Sequence, residues 1–560
     1  MMDASSSHES FPWRRFYEAR VPATVSYEDK TLLAYFDETA ARFSDKTALI
    51  FEGYRLRYGE LRDMVDRMAG ALAGLGIRKG DRVAILLPNV IPCVAAYYAV
   101  LRLGGIVVMN NPLYTDHELS HQFNDSGACM VITLDLLAPR MIGLREKTGI
   151  EHIIYTSLGD YLPFPKSLLF PLVAPKKKLS AKVPETENVF QWKQLLNENH
   201  EPPSDVDLAL DDPAMYQYTG GTTGVSKGVV LSHGNLSRQI QQVNAWFPSF
   251  QKGKGMMLGA LPFFHVFGLT TSMNLAIYNG WGNILVPKPH PVALIKAIRA
   301  HHATFVPLVP TMYIGMLNHP DFKKANLSSV DGCFSGSAPL PVEVINEFEE
   351  KTGAIIVEGY GLTETSPVTH INPFGSGGRK VGSIGLPMPD TECRIVDTLE
   401  GKDEVPQGEP GELLIRGPQV MSGYWNRPDE TAATLSSEGW LCTGDIATMD
   451  KDGYFFIVDR KKDMVLSGGY NVYPRDVEEV LFEHPDILEA TVIGIPHPKY
   501  GEAVKAFVVL KSGKETTKED VIDFCRERLA KYKVPADVEF RDELPKSNVG
   551  KVLKKELRGK

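Results

Sequence analysis

The sequence predicts an α/β protein. A large amino-terminal domain (residues 1–460) is built of two α/β subdomains with mostly parallel sheets plus a small antiparallel β subdomain, and a small α+β carboxyl-terminal domain (461–560) follows. Three observations predict it. Short apolar runs alternate with helix-like runs through most of the chain, an order that implies parallel pairing. Near Asp390 the spacing shortens to strands separated by turn residues, and after Asp459 it becomes a compact mixture of strands and amphipathic helices.

The first unit sets the pattern. "RVAILLP", bounded by Gly80 and Pro88, reads as a strand, "VAAYYAVLRLG" as a buried helix ended by Gly104, and "GIVVMN" as a strand. Pro88, Asn89, Pro92, Arg102 and two glycines interrupt this stretch, whereas a bilayer span wants about 20 nearly unbroken apolar residues. The pattern recurs at "MVITLDLL", "MMLGALPFF", "GNILVPK", "PVALIKAIRAHHATFVPLVP" and "GCFSGSAP". From Asp390 to Asp459, "ECRIVD", "GELLIRGP" and "GYFFIVDR" read as the antiparallel strands. The domain boundary is placed between Arg460 and Asp463. Beyond it come a helix opened by Pro474, the strands "EATVIGIP" and "AVKAFVVLK", and a last helix started by a capping box from Thr517 to Asp520. That last helix places Val521, Phe524, Cys525 and Arg528 near one face.

Composition narrows the function. The net charge of −9 gives no global attraction to nucleic acid, which is not an expected partner. Six scattered cysteines without CxxC spacing point to neither zinc nor a disulfide framework, and fit a reducing cytosol. The amino terminus has no apolar core of a signal peptide, so a cytoplasmic location is expected.

"YTGGTTGVSKG", from Tyr218 to Gly228, carries four glycines, three threonines and Lys227. It does not fit the Walker pattern, because Gly228 follows the lysine. Its glycines still let backbone N–H groups converge on an oxyanion, with hydroxyls and an ammonium adding donors. Composition alone leaves two readings, a phosphate cradle and a mobile surface turn.

Companion motifs decide between them. "YTGGTTGVSKGVVLSH", "LPFFHVFGLT", "SGSAPLP", "VEGYGLTETSPV", "GYWNRPDET", "GWLCTGD", "DRKKDMVLSGGYNVYPRDVE" and "LPKSNVGKVLKKEL" together resemble the adenylate-forming acyl-CoA synthetase superfamily, and within it the long-chain fatty-acid CoA ligases. The resemblance covers nearly the whole chain. It implies that a fatty acid reacts with ATP to give acyl-AMP and pyrophosphate, and that CoA then displaces AMP. It also implies that the carboxyl-terminal domain is mobile.

The resemblance assigns Thr219, Gly220, Gly221, Thr222, Thr223, Gly224 and Lys227 to the triphosphate, and Gly336, Ser337, Gly359, Tyr360 and Gly361 to the nucleotide, with Tyr360 on adenine. Thr363 falls near the α-phosphate, while Glu364 with Thr219 is the expected Mg2+ site. Asp445 and Arg460 are expected on the ribose, Lys462 at the hinge, and Lys551 at the α-phosphate during adenylation. Gly468, Gly469 and Tyr470 are expected to line the CoA channel. Asn548 and Val549 depart from the small residues common in relatives, leaving the Lys551 register intact. His265, with Phe264 and Phe267, is expected beside the acyl substrate, although a histidine in an apolar run is also a core residue type. Trp246, Phe247, Met312 and Tyr313 are further candidates for an acyl tunnel or for plain core.

Tyr161–Leu179, "YLPFPKSLLFPLVAPKKKL", alternates apolar clusters with Lys176, Lys177 and Lys178. It reads either as a peripheral, salt-sensitive contact with the inner membrane face or as a loop packed on its own domain. Two alternatives to the CoA ligase remain open: an acyl-AMP ligase loading a carrier protein, and a fatty-acid uptake or binding protein. A homodimer also stays among the expected partners.

Overall fold

The run beginning at Arg82 forms the middle of the first large sheet. A computed structural model describes residues 11–198, 200–201, 206–219, 226–375, 378–398, 401, 403–467, 470–498, 500–546 and 552–558. In it, strand Arg82–Leu86 and strand Ile106–Met109 pair in parallel, joined by helix Ile91–Arg102. Every residue of that helix from Ile91 to Leu101 is buried, as its unbroken apolar sequence demands. Arg102, at its end, is held by Asp37 at 2.6 Å and Asp66 at 2.9 Å.

This sheet has eight strands in the order Gly423–Tyr424, Lys227–Ser232, Pro213–Thr219, Ile106–Met109, Arg82–Leu86, Met130–Leu134, His152–Thr156 and Val189–Gln191. All pairs are parallel except the two made by Lys227–Ser232. The second large sheet has nine strands and runs from Leu386–Pro387 through Val368–Ile371, Ile355–Gly361, Gly332–Ser335, Phe305–Leu308, Met256–Gly259, Gly282–Leu285 and Thr47–Phe51 to Tyr54–Arg57. Its five central pairings are parallel. The expected small sheet is Glu392–Val396, Gly411–Arg416, Leu441–Met449 and Phe455–Arg460, wholly antiparallel.

One segment departs from the expected grouping. Gly423–Tyr424 lies between strands of the small sheet in sequence, yet it pairs with Val229 and Val230 at the edge of the first large sheet. Trp425 fixes it there by stacking on Tyr216, ring centroids 4.8 Å apart, and by donating its indole N–H to the Asp125 carbonyl at 2.9 Å.

The carboxyl-terminal unit has a core of its own around Val465, Val477, Leu481, Val492, Val508 and Val521. The Thr517 capping box is present, with Thr517 Oγ1 accepting from the Asp520 N–H at 3.1 Å and Val521 and Cys525 buried behind it. This helix is not the last, because Lys554–Leu557 forms another short turn. Helix Pro474–Phe482 ties the unit to the antiparallel sheet: the Arg475 N–H donates to Asp459 at 2.8 Å, and its guanidinium donates to the Ile457 carbonyl at 2.6 Å. Among the described residues, no helix is long and apolar enough to cross a membrane, and all six cysteines are free thiols.

Candidate functional site

Parallel strands Gly332–Ser335 and Ile355–Gly361 end side by side, which brings Gly336 and Ser337 next to Gly359, Tyr360 and Gly361. Open sheets of this kind bind ligands beyond the carboxyl ends of their strands. Glycine is required at two of these positions. A Cβ on Gly359 would enter the Phe334 ring, and one on Gly361 would strike the Pro367 carbonyl.

Tyr360 reaches out of this strand end to the small sheet. Its hydroxyl donates to Asp445 Oδ2 at 2.5 Å, and Arg460 Nε holds Asp445 Oδ1 at 2.8 Å. Asp445 and Arg460 are register partners in adjacent strands, so the ion pair is set by the sheet itself. Burial, then the Asp445 charge, keeps the Tyr360 phenol protonated, and Asp445 raises the Arg460 value further.

Thr363 and Glu364 follow in a short turn, Thr363–Thr365, and Glu364 meets the second cluster. Tyr424 donates its hydroxyl to Glu364 Oε1 at 2.7 Å. The Lys227 ammonium lies 4.9 Å above the centroid of the same Tyr424 ring and is ion-paired with Glu430. Lys227 is the Cα partner of Thr219 across an antiparallel pair, so the glycine-rich run joins the two strands of a hairpin. Gly220, Gly221, Thr222, Thr223 and Gly224 lie outside the described residues. Behind the hairpin, Asp125 takes the Tyr218 hydroxyl at 2.7 Å and the Arg427 guanidinium at 2.7 Å.

Tyr424, Glu430, Arg427 and Asp125 were not foreseen as site residues. The first three sit inside the quoted "GYWNRPDET", so its aromatic–basic–acidic content was the available signal. Asp125 carried none, because a lone acid near a helix end reads as solvated surface.

At the expected acyl residues, His265 Nδ1 accepts the Phe267 N–H at 3.2 Å and caps a short helix that continues into the π-helix Leu269–Asn274. Phe267 packs edge-on against Phe334, at 5.5 Å, beside Gly336. Gln217, next to Tyr218, donates to the Phe264 carbonyl at 2.9 Å. The three residues therefore adjoin both the Gly336 strand end and the hairpin. Trp246, Phe247 and Tyr313 belong to the core. Trp246 donates to the Asn372 carbonyl, Phe247 stacks on Phe250, and Tyr313 donates to the Val306 carbonyl.

Residues 36–425 match the family described as AMP-binding enzyme, and residues 476–551 match the AMP-binding enzyme C-terminal domain. The chain belongs to the AMP-binding enzyme family. It is 46% identical over 550 residues to a long-chain-fatty-acid–CoA ligase of Bacillus subtilis (strain 168), covering 98% of this chain and 97% of that one. It is 40% identical over 553 residues to a long-chain-fatty-acid–CoA ligase of Escherichia coli O6:H1, covering 98% and 97%. Its structure is similar to ATP-bound MatB from Rhodopseudomonas palustris, with a TM-score of 0.82 and 30% identity over 94% of this chain and 98% of that one. It is likewise similar to the anthranilate CoA ligase AuaEII in complex with anthranoyl-AMP, with a TM-score of 0.82 and 26% identity over 94% and 96%.

In this AMP-binding enzyme the hinge candidate, Lys462, lies two residues beyond Arg460 of the Asp445–Arg460 pair. Burial lowers its ammonium below the usual lysine value, with Asp463 opposing, and Asp463 is itself held by Arg558 at 2.6 Å. Gly468, Gly469 and Lys551 lie outside the described residues, and of Tyr470 only its place in strand Tyr470–Val472 is described. Lys546 and Val552, which flank Lys551, pair with each other, and Lys546 binds Glu489 at 2.5 Å while Lys554 binds Glu478 at 2.9 Å. For a metal, Glu364 offers a hard carboxylate oxygen beside Tyr424, and Thr219 a hydroxyl at the end of the strand paired with Lys227. That donor set fits Mg2+, which takes few protein ligands and completes its shell with phosphate oxygens and water.

Proposed function

We propose that this enzyme joins a long-chain fatty acid to CoA at the expense of ATP, through an enzyme-bound acyl-AMP. One observation carries the reading: Tyr360 and Glu364, four residues apart, anchor the Asp445–Arg460 cluster at one end and the Lys227–Tyr424 cluster at the other. A nucleotide laid along this segment would have its ribose at an acceptor carboxylate and its phosphates at an ammonium. The ligase names of its relatives and the ATP-bound and acyl-AMP-bound neighbours support the same reading.

In the first step a carboxylate oxygen of the fatty acid attacks the α-phosphorus, and the bond to the β-phosphate oxygen breaks to release pyrophosphate. Charge spreads over phosphoryl oxygens, so fixed cations aimed there lower the barrier. Lys227 serves the β- and γ-phosphates, and Lys551 the α-phosphate and carboxylate. Thr219 and Glu364 would hold Mg2+, which when bound neutralises phosphate charge. In the second step the CoA sulfur attacks the acyl carbonyl, its proton leaves to solvent, and the carbonyl-carbon bond to AMP breaks. Gly468, Gly469 and Tyr470 line the thiol's approach, after the carboxyl-terminal domain (461–560) turns about Lys462. The acyl chain lies beyond His265 and Phe267, where each buried methylene contributes about 0.8 kcal/mol.

Peripheral membrane contact belongs to the same proposal. Helix Lys166–Val173 buries none of its residues, and Leu168 and Leu172 are 67% and 70% exposed, with Phe164 before them at 79%. Lys176, Lys177 and Lys178 follow, all exposed. An unburied apolar helix beside three lysines suits an anionic bilayer, in which the fatty acid is dissolved.

The deciding experiment incubates the protein with ATP, Mg2+, palmitate and CoA. Equimolar AMP, pyrophosphate and palmitoyl-CoA are expected. AMP release that depends on a carrier protein in place of CoA would favour the carrier-loading alternative, and no nucleotide turnover would favour a binding protein.

A further inference from the structure

The ammonium assigned to the triphosphate already has an anionic partner within the chain. Lys227 Nζ is ion-paired with Glu430 Oε2, and its side chain is only 20% exposed. Glu430 lies in the first turn of helix Pro428–Thr434, and that helix is braced against the site because Thr431 Oγ1 accepts the Tyr424 N–H at 2.9 Å. Glu430 also has a second cation within reach. Arg427 Nε lies 3.7 Å from Glu430 Oε1, while the far side of the Arg427 guanidinium is fixed by Asp125, whose side chain is 8% exposed. The charges therefore alternate from contact to contact: Asp125, Arg427, Glu430, Lys227, then the Tyr424 ring and Glu364.

We propose that Glu430 is a built-in competitor for the polyphosphate, occupying Lys227 when no nucleotide is bound and moving onto Arg427 when phosphate arrives. This rests on the reading of Lys227 as a triphosphate ligand. A carboxylate in contact with the ammonium opposes any incoming anion by direct repulsion, and an ammonium shared between two anions binds each less well. Arg427 makes the exchange easy, because the displaced carboxylate finds another cation without leaving its helix turn. The same device would hasten departure of pyrophosphate, since Glu430 returns to Lys227 as the product leaves. Glu430 is thus a positioning residue: it acts through Lys227 and touches no reacting atom.

The test compares the full chain with Glu430→Gln, Lys227→Ala and the double variant, using ATP, Mg2+, palmitate and CoA. The readouts are KM for ATP, kcat, and the inhibition constant of added pyrophosphate. For Glu430→Gln, KM for ATP and the pyrophosphate constant should each fall by about 3- to 5-fold, the range of a partly exposed ion pair. The kcat of this variant should fall or stay level as product release slows. On the Lys227→Ala background the glutamine substitution should have no further effect, because the competed cation is gone. A rise or no change in KM for Glu430→Gln, with Lys227→Ala still raising KM, would overturn the competitor role alone. If Lys227→Ala leaves KM for ATP unchanged, the phosphate reading of Lys227 fails, and the competitor role with it.

Discussion

Tyr360 and Asp445, 85 residues apart in sequence, meet in a hydrogen bond of 2.5 Å, and the carboxylate is locked from its other side by Arg460. A strand end of one large sheet is thereby fastened to the small antiparallel sheet, at the carboxylate that the proposed function assigns to the ribose hydroxyls. Asp445→Asn keeps the shape, replaces one acceptor with a donor and leaves the half-buried Arg460 without its charge partner. KM for ATP should rise by about 10- to 100-fold, the effect of losing a well-placed buried acceptor. Steady-state kinetics at saturating palmitate checks this, and an unchanged KM would remove Asp445 from the nucleotide site. Tyr360→Phe should be milder, lowering stability by about 1 kcal/mol in urea denaturation.

Glu364 accepts from the Tyr424 hydroxyl, and the ring of that tyrosine carries the Lys227 ammonium on its face. Glu364→Gln should lower kcat/KM by about 100-fold, a loss in line with removing one fixed electrostatic group, and should raise the Mg2+ concentration needed for half-maximal rate. Tyr424→Phe should preserve the Mg2+ dependence in shape and shift it to moderately higher concentration. Titration of MgCl2 at fixed ATP distinguishes the two. Equal Mg2+ curves for wild type and Glu364→Gln would contradict the metal assignment.

Acid should destabilise the amino-terminal units through two buried histidines. Burial pushes His370 down to about 3 and His233 down to about 4 from the usual 6.5. Below pH 6.5 the unfolded chain binds protons at these positions that the folded chain refuses, so stability is complete above pH 6.5 and is lost as pH falls toward those values. Between pH 7 and pH 5 each histidine should cost about 2 kcal/mol. Asp135, raised to about 6 by burial, works the other way and regains stability over the same interval. Replacing His370 with Gln isolates one contribution: the wild-type loss from pH 7 to pH 5 in chemical denaturation should shrink by about 2 kcal/mol.

Much of the architecture was legible because burial is written in apolar runs. Strands such as Arg82–Leu86 and Met130–Leu134, buried on both faces beyond Arg82, show as near-continuous hydrophobic segments, and Thr517 announces its helix by a local hydrogen-bond pattern. The two-residue strands Leu386–Pro387 and Gly423–Tyr424 were not legible, because their positions depend on partners far away in sequence. The site divided in the same way. Motif resemblance pointed to Lys227, Glu364, Tyr360, Asp445 and Arg460, which the fold gathers into two adjoining clusters, whereas Glu430 and Asp125 enter only once the fold sets them against Lys227 and Arg427. Of the two readings open for Trp246 and Tyr313, acyl tunnel or plain core, the packing favours core, since both spend their polar atoms on buried backbone carbonyls.

The role proposed for Lys551 would separate the two chemical steps. Lys551→Ala should lose acyl-AMP formation from ATP and palmitate by at least about 100-fold, the scale of one charge-stabilising group, yet still convert supplied palmitoyl-AMP and CoA to palmitoyl-CoA. Equal loss of both half-reactions would place the lysine outside the adenylation step.

The exposed helix predicts lipid binding that salt weakens. In flotation with vesicles of mixed zwitterionic and anionic lipid, the protein should rise with the vesicles at low salt and remain below at high salt, where charges are screened within about 3 Å at 1 M. Replacing Leu168 and Leu172 with Gln should abolish flotation and leave turnover of detergent-solubilised palmitate unchanged. Absence of binding at low salt would dismiss the surface.

The most direct test of the two-step reaction at one site omits CoA. Enzyme held with ATP labelled at the α-phosphate, Mg2+ and palmitate should accumulate labelled palmitoyl-AMP with release of pyrophosphate, and added CoA should convert that adenylate to palmitoyl-CoA and labelled AMP. Formation of ADP and inorganic phosphate instead, or of no nucleotide product until CoA is present, would contradict the acyl-AMP route.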